Sequence, residues 1–229
     1  MKIPHAEHIL KVHDSFSKFD RAFAFCGGSI APLLYDTPAR YTFRPTQDID
    51  LMVLVNTDRE YSKIEEELRN EGFCHDIHGP LCRWCYEGIV IDVMPTQGSL
   101  MGISTVWFEE SVNTSQLLPL NGQLIPVITA SGFIACKFEA FRDRGNGDYY
   151  MSHDIEDIVA VIDHRKSLPV ELNNSEDPLA TPAQKVINHI VRHPDFENII
   201  AAHIPPDPGN RARINNIIAH FRSMTSPND

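Results

Sequence analysis

Long apolar runs are missing from this chain of 229 residues. None reaches the length needed to cross a bilayer, so no membrane-spanning role is expected. The start, Met1-Lys2-Ile3-Pro4-His5-Ala6-Glu7-His8, lacks the apolar segment of a secretory signal, which makes a cytoplasmic location the expectation. Cysteine is scarce and odd in number: five residues do not suit a secreted disulfide framework. Excess positive charge is lacking too. Lys and Arg total 20 against 31 Asp and Glu, a formal net charge of −11, opposite in sign to a general nucleic-acid binder. A local basic patch around Arg40, Arg44, Lys137, Arg142 and Arg144 is compatible with that total. Internal repeats and low-complexity segments are also absent. What is present is 42% hydrophobic residues, enough for one sizeable core or for a main domain with a smaller appendage.

Apolar spacing predicts a helix over 6–20, a short strand Phe23-Ala24-Phe25-Cys26, and a helix opened by Ser29 after Gly27-Gly28. Residues 36–47 carry two prolines and read as a loop. Residues 48–55 form an acidic-edged strand, and 58–71 a charged amphipathic helix that Gly72 stops. Residues 82–94 predict a hairpin around Glu87-Gly88, and 116–127 a second around Asn121-Gly122. Helices are expected over 129–143 and from a Ser152 cap to about residue 163, with Asp154 and Glu156 near its positive end. Residues 167–182 are polar and read as a linker, followed by helices near 182–203 and 209–223. Strands interleaved with helices predict an α/β (α+β) chain, a mixed sheet with helical cover. The expected division is a main domain over 1–166 and a linker with a small helical C-terminal extension over 167–229.

Asp48 and Asp50 open the apolar run Ile49 to Val55. Strand side chains alternate, so the two carboxylates share a face and Ile49, Leu51 and Val53 share the other. Paired carboxylates raise each other's pKa unless positive charge intervenes. Hard oxygen donors in such a pair suit Mg²⁺, which is usually held by one or two carboxylates plus substrate phosphates. The alternative is a solvated pair at a strand start. Gly27-Gly28-Ser29 lies just upstream: glycines permit close backbone approach, and the following helix offers free N–H groups to an anion. A plain tight turn with a helix cap is its alternative. Asp92 stands inside Ile89-Val90-Ile91-Asp92-Val93-Met94. A charge buried there needs a partner, either a metal shared with Asp48 and Asp50 or an arginine.

Lys137 is placed on the 129–143 helix, as a point charge toward phosphate or as a solvated lysine. Asp154 and Asp157 lie one helical turn apart and share a face. They would order the basic groups of the preceding helix or touch a nucleotide. Cys74, His75, His78, Cys82 and Cys85 fall within a dozen residues. Zinc is the chemistry such residues suggest, but Cys82 and Cys85 at i and i+3 on a strand face opposite sides, which favours packing cysteines.

These pieces together resemble the nucleotidyltransferase superfamily typified by DNA polymerase β, and more closely its AbiEii/AbiGii-toxin type. The matching segments are Phe25-Cys26-Gly27-Gly28-Ser29, Arg44 to Asp50, Val90 to Thr96, Ala135 to Arg144 and Ser152 to Ile158. The resemblance covers roughly residues 20–165. It implies a polymerase β-like nucleotidyltransferase fold. It implies Gly28 and Ser29 as phosphate-binding, Asp48, Asp50 and Asp92 as ligands of Mg²⁺ (or Mn²⁺), and Asp92 as activator of the acceptor hydroxyl. Lys137 matches a nucleotide-contacting lysine and Asp157 the acid that follows that helix. The implied reaction moves an NMP from an NTP onto an acceptor hydroxyl, with pyrophosphate released. Acceptors in the superfamily include tRNA, protein and small molecules, and toxin-like members sit beside an antitoxin. The rival expectation is a catalytically inactive protein that binds nucleotide or a partner. One departure from the pattern is the long span between Ser29 and Asp48, where residues 35–47 would form a lid or an acceptor contact.

Overall fold

Two dipeptide turns set the register of the sheet. Glu87 and Gly88 have φ of 48° and 81°, and Asn121 and Gly122 have φ of 48° and 91°. Positive φ at both central residues is the tight turn whose twist matches paired strands. The computed structural model describes residue 3, residues 5–37, residue 46, and residues 48–97, 104–205 and 209–225. Arg40, Arg44 and most of the expected lid over 35–47 lie outside the described residues. The chain forms two compact units, one of residues 1–33 and 40–129, the other of 34–39 and 130–229. The boundary expected at 166/167 falls inside the second unit.

In the first unit the strands are β1 (Phe23–Cys26), β2 (Asp48–Val53), β3 (Cys74–His75), β4 (Arg83–Tyr86), β5 (Ile89–Pro95), β6 (Gln116–Leu120) and β7 (Gln123–Val127). They form one sheet in the order β3-β4-β5-β2-β1-β7-β6. The β2–β5 and β1–β7 pairs are parallel and the others antiparallel, so the sheet is mixed, as expected. The α-helices that accompany it among the described residues are α1 (Ala6–Phe16), α2 (Asp58–Asn70) and α3 (Phe108–Asn113). Thr57 caps α2 by accepting from the Glu60 amide, while the Glu60 carboxylate accepts from the Asn56 amide at 2.6 Å.

One face of the sheet is apolar. Phe25, Ile49, Leu51, Trp84, Ile91 and Val93 are each 3% exposed or less, and the strand register puts Leu51 beside Phe25 and Val93. Aromatic and hydrogen-bonding contacts seat the helices here. The ring of Phe16 on α1 meets Phe23 at 5.4 Å, and Tyr61 on α2 donates to the Val93 carbonyl at 2.9 Å. With this face closed by α1 and α2, the acidic residues that alternate with it point the other way.

The segment after β1 is helical, as expected. A helix was expected to open at Ser29; the helix that forms, Gly28–Leu34, is of the 3₁₀ type, with Pro32 inside it. A tighter helix suits so short a piece, and Pro32 has no N–H to give to an α-helical ladder.

The second unit is helical: α4 (Ala130–Arg144), α5 (His153–His164), α6 (Leu168–Glu171), α7 (Ala180–Val191), α8 (Phe196–Ala202) and α9 (Asn210–Ser223). Ser152 caps α5 by accepting from the Ile155 amide. The expected linker carries the short helix α6, and Leu168 and Leu179 within it are fully buried. The helix expected over 182–203 is two helices, broken where Pro194 disfavours helical geometry at His193. No helix among the described residues is long and apolar enough to cross a membrane.

Candidate active site

The polar face of the sheet collects the three predicted acids. In the parallel β2–β5 pair, Asp50 is the register partner of Asp92 and Asp48 of Val90. Registered residues share a face, so Asp48, Asp50 and Asp92 lie on the same side of neighbouring strands. Asp92 is 8% exposed, deep enough to need a counter-charge.

Arg83 supplies one. It is the register partner of Asp92 across the β4–β5 hairpin. Its Nε donates to Asp92 Oδ1 at 2.8 Å and its Nη2 to Asp92 Oδ2 at 2.8 Å. The same Nη2 reaches past β5 to donate to Asp48 Oδ2 at 3.0 Å. This is the side-on fork geometry that makes arginine–carboxylate pairs strong. The bonds to Asp92 outweigh burial and raise the guanidinium pKa above its ordinary value, so the charge is permanent.

The glycine turn closes against the same face. Cys26 pairs with Asp50, and Gly27 follows with φ of 71°. A β-carbon on Gly27 would lie 1.9 Å from Asp50 Oδ2. Only glycine admits both the backbone turn and the carboxylate. Ser29 is 5% exposed, and its Oγ is buried with no hydrogen-bond partner among the described residues. Buried hydroxyls are normally satisfied, so such an atom is available to a ligand oxygen.

These residues fit a hard divalent ion by donor chemistry: carboxylate oxygens on one face, beside a glycine turn. Their present arrangement is organised around a guanidinium. No three His, Cys, Asp or Glu side chains among the described residues converge as a metal ion would require.

Lys137 and Asp157 belong to the second unit. Lys137 Nζ on α4 lies 2.7 Å from Asp157 Oδ2 and 3.2 Å from Asp154 Oδ1, both on α5. Arg144 donates to both oxygens of Asp154, from Nε at 3.0 Å and Nη2 at 2.8 Å. Burial pushes the Asp154 carboxyl up, but the Arg144 bonds and the Lys137 charge outweigh it and hold the group below its ordinary value. Asp154 and Asp157 thus order the basic groups of the preceding helix, one of the two roles foreseen. Arg142 pairs with Glu139 at 3.2 Å, so the three described members of the expected basic patch all meet carboxylates.

Cys74 and Cys85 are register partners across β3 and β4, but no three members of the cysteine–histidine group form a cluster that could hold a metal ion among the described residues. Cys74 is exposed, Cys82 buried and Cys85 half-buried. His75 Nε2 is within 2.9 Å of the Leu81 carbonyl. Burial, then the Asp92 and Asp50 charges, push the Cys82 thiol up to about 12, away from the thiolate that a metal needs. Thr96, part of the Val90 to Thr96 motif, has a structural place: its hydroxyl donates to the Val55 carbonyl and accepts from the Val55 amide, both at 3.0 Å.

Arg83 escaped the sequence reading, and Gly27 entered it only as part of the Gly27-Gly28-Ser29 turn. Gly28 and Ser29 were singled out, whereas Gly27 is the glycine that Asp50 presses on. Arg83 carried no role, although a two-residue turn at Glu87-Gly88 sets it opposite Asp92.

No protein-family profile matches the chain, and comparison with curated proteins finds no significant sequence similarity. Solved structures are similar in fold. An antigenic nucleotidyltransferase-like protein from Paracoccidioides brasiliensis has a TM-score of 0.53 at 18% identity, with 86% of this chain and 92% of that chain covered. ANT(2")-Ia, in complex with adenylyl-2"-tobramycin, has a TM-score of 0.50 at 13% identity, with 81% and 98% covered. The mixed sheet with its helical cover is the polymerase β-like nucleotidyltransferase fold.

Proposed function

We propose that the protein is a Mg²⁺-dependent nucleotidyltransferase that moves an NMP from an NTP onto an acceptor hydroxyl and releases pyrophosphate. The observation that carries this reading is the placement of Asp48, Asp50 and Asp92 on one face of β2 and β5, with Asp50 against Gly27. Asp48, Asp50 and Asp92 would hold the ion, with Mn²⁺ as a substitute. Bound there, a divalent ion supplies Lewis acidity and charge for the phosphates.

The chain's own groups supply the rest. The Gly28 and Ser29 amides and the Ser29 hydroxyl donate to phosphate oxygens, which gives the buried Oγ its partner. Asp92 takes the proton of the acceptor hydroxyl as its oxygen attacks the α-phosphorus. The P–O bond to pyrophosphate breaks in line and pyrophosphate carries the bonding pair away. Positioning and charge complementarity are the main contributions of the protein. Nucleotide-contact roles for Lys137 and Asp157, the toxin-type assignment with an antitoxin partner, and a cytoplasmic location are proposed on the sequence resemblance and composition. The acceptor belongs to the range tRNA, protein or small molecule. A second reading, a protein that binds nucleotide or a partner without turnover, draws support from Arg83, which already meets two of the three acids.

The test is transfer of label from α-labelled NTPs with Mg²⁺ to a panel of tRNA, protein and aminoglycoside acceptors. Transfer by the parent chain, reduced about a hundredfold or more in Asp92→Asn, is expected. Transfer unchanged in Asp48→Asn, Asp50→Asn and Asp92→Asn overturns the assignment. Tight NTP binding with no transfer selects the second reading.

A further inference from the structure

We propose that Arg83 is a built-in cation that holds the acidic face together and competes with a divalent ion for it. The inference rests on the metal reading above and adds a residue outside the predicted set. One planar guanidinium takes both oxygens of Asp92 and one of Asp48. A divalent ion bound by these acids needs oxygens from the same two carboxylates, and its charge repels the guanidinium at such range. The two occupants therefore exclude one another, and each must gain what the other loses.

The surroundings let the arm leave. Its side chain is 26% exposed, so a path to water exists. β4 begins at Arg83, directly after a turn in which the Arg83 amide donates to the Pro80 carbonyl at 2.9 Å. A β-carbon on Gly79 would lie 2.7 Å from Arg83 Cδ, so this glycine makes room for the arm in its present position. The permanent charge of arginine makes displacement, rather than neutralisation, the route to an open site. Metal affinity in the absence of nucleotide is thereby lowered by the cost of moving Arg83.

The test is Mn²⁺ binding to the full chain without nucleotide, followed by loss of the free-ion EPR signal. Arg83→Gln removes the charge and keeps most of the arm. It is expected to bind Mn²⁺ about tenfold more tightly than the parent, with Arg83→Lys in between because it keeps charge but loses the paired donors. Thermal unfolding gives a second readout that covers a weakened fold. Arg83→Gln should melt lower than the parent without metal and recover more on adding Mn²⁺. Should Arg83→Gln fail to fold even with Mn²⁺, the Lys variant decides: affinity no tighter than the parent's overturns the proposal. Equal Mn²⁺ affinity in parent and variants, abolished in each by Asp50→Asn, overturns the competition and leaves the metal site standing. Mn²⁺ uptake that is absent, or indifferent to Asp50→Asn, removes the metal site and the competition with it.

Discussion

Gly27 and Asp50 constrain one another, and the constraint is measurable. Gly72 is the natural comparison, because it too has positive φ, 91°, but a β-carbon there would meet nothing within 4 Å. Gly72→Ala should cost about 1 kcal/mol of unfolding free energy, from backbone conformation alone. Gly27→Ala should cost about 1–2 kcal/mol more, since the new methyl must also expel the Asp50 carboxylate. Chemical denaturation checks both, and the excess should vanish in an Asp50→Gly background, which removes the Asp50 β-carbon, 2.7 Å from where the new methyl would lie, together with the carboxylate. An excess that persists there would mean that Asp50 is not what Gly27 accommodates. At this scale the acids were legible, because strand alternation places Asp48 and Asp50 together before any coordinates exist. The conformation of Gly27 was not, since three small residues in a row do not reveal which one a neighbouring strand will crowd.

At the level of elements, hairpins were the most legible parts of the chain. Glu87-Gly88 and Asn121-Gly122 announce their turns, and a two-residue turn leaves no freedom in register. Arg83 could have been placed opposite Asp92 by that rule alone. Helices were less legible where tertiary burial decides: Leu168 and Leu179 flank a stretch rich in Asn, Asp and Glu, yet both are fully buried. The α4–α5 pair offers its own prediction. Asp154 is 4% exposed and answers both Lys137 and Arg144, so Asp154→Asn should destabilise the fold by about 3 kcal/mol at neutral pH. Its folded pKa lies below the ordinary 3.8. The stability it contributes is therefore full above that ordinary value and is lost as pH falls through the lower folded value. Denaturation curves of parent and variant should be well separated at pH 7 and converge as the pH falls through the lowered folded value. A gap independent of pH would show that the charge of Asp154 is not what α4 and α5 share.

Over the whole molecule, the fold is preserved while sequence likeness is nearly gone. The likeness to the Paracoccidioides brasiliensis protein covers 86% of this chain, a larger share than residues 1–166 alone would supply. It therefore extends into helices for which no motif could be named, because a buried apolar stripe fixes packing without fixing residue identity. The proposed site is different in kind: the chemistry proposed for it depends on particular carboxylates, which is why their positions were visible in one sequence and the second unit's packing was not. A crystal soaked with Mg²⁺ and a non-hydrolysable NTP tests the central proposition directly. The expected result places the ion on Asp48, Asp50 and Asp92, a phosphate at the Gly28-Ser29 turn, and Arg83 withdrawn from both acids. Nucleotide bound away from the acidic face of β2 and β5, with Arg83 still on Asp48 and Asp92, would contradict it.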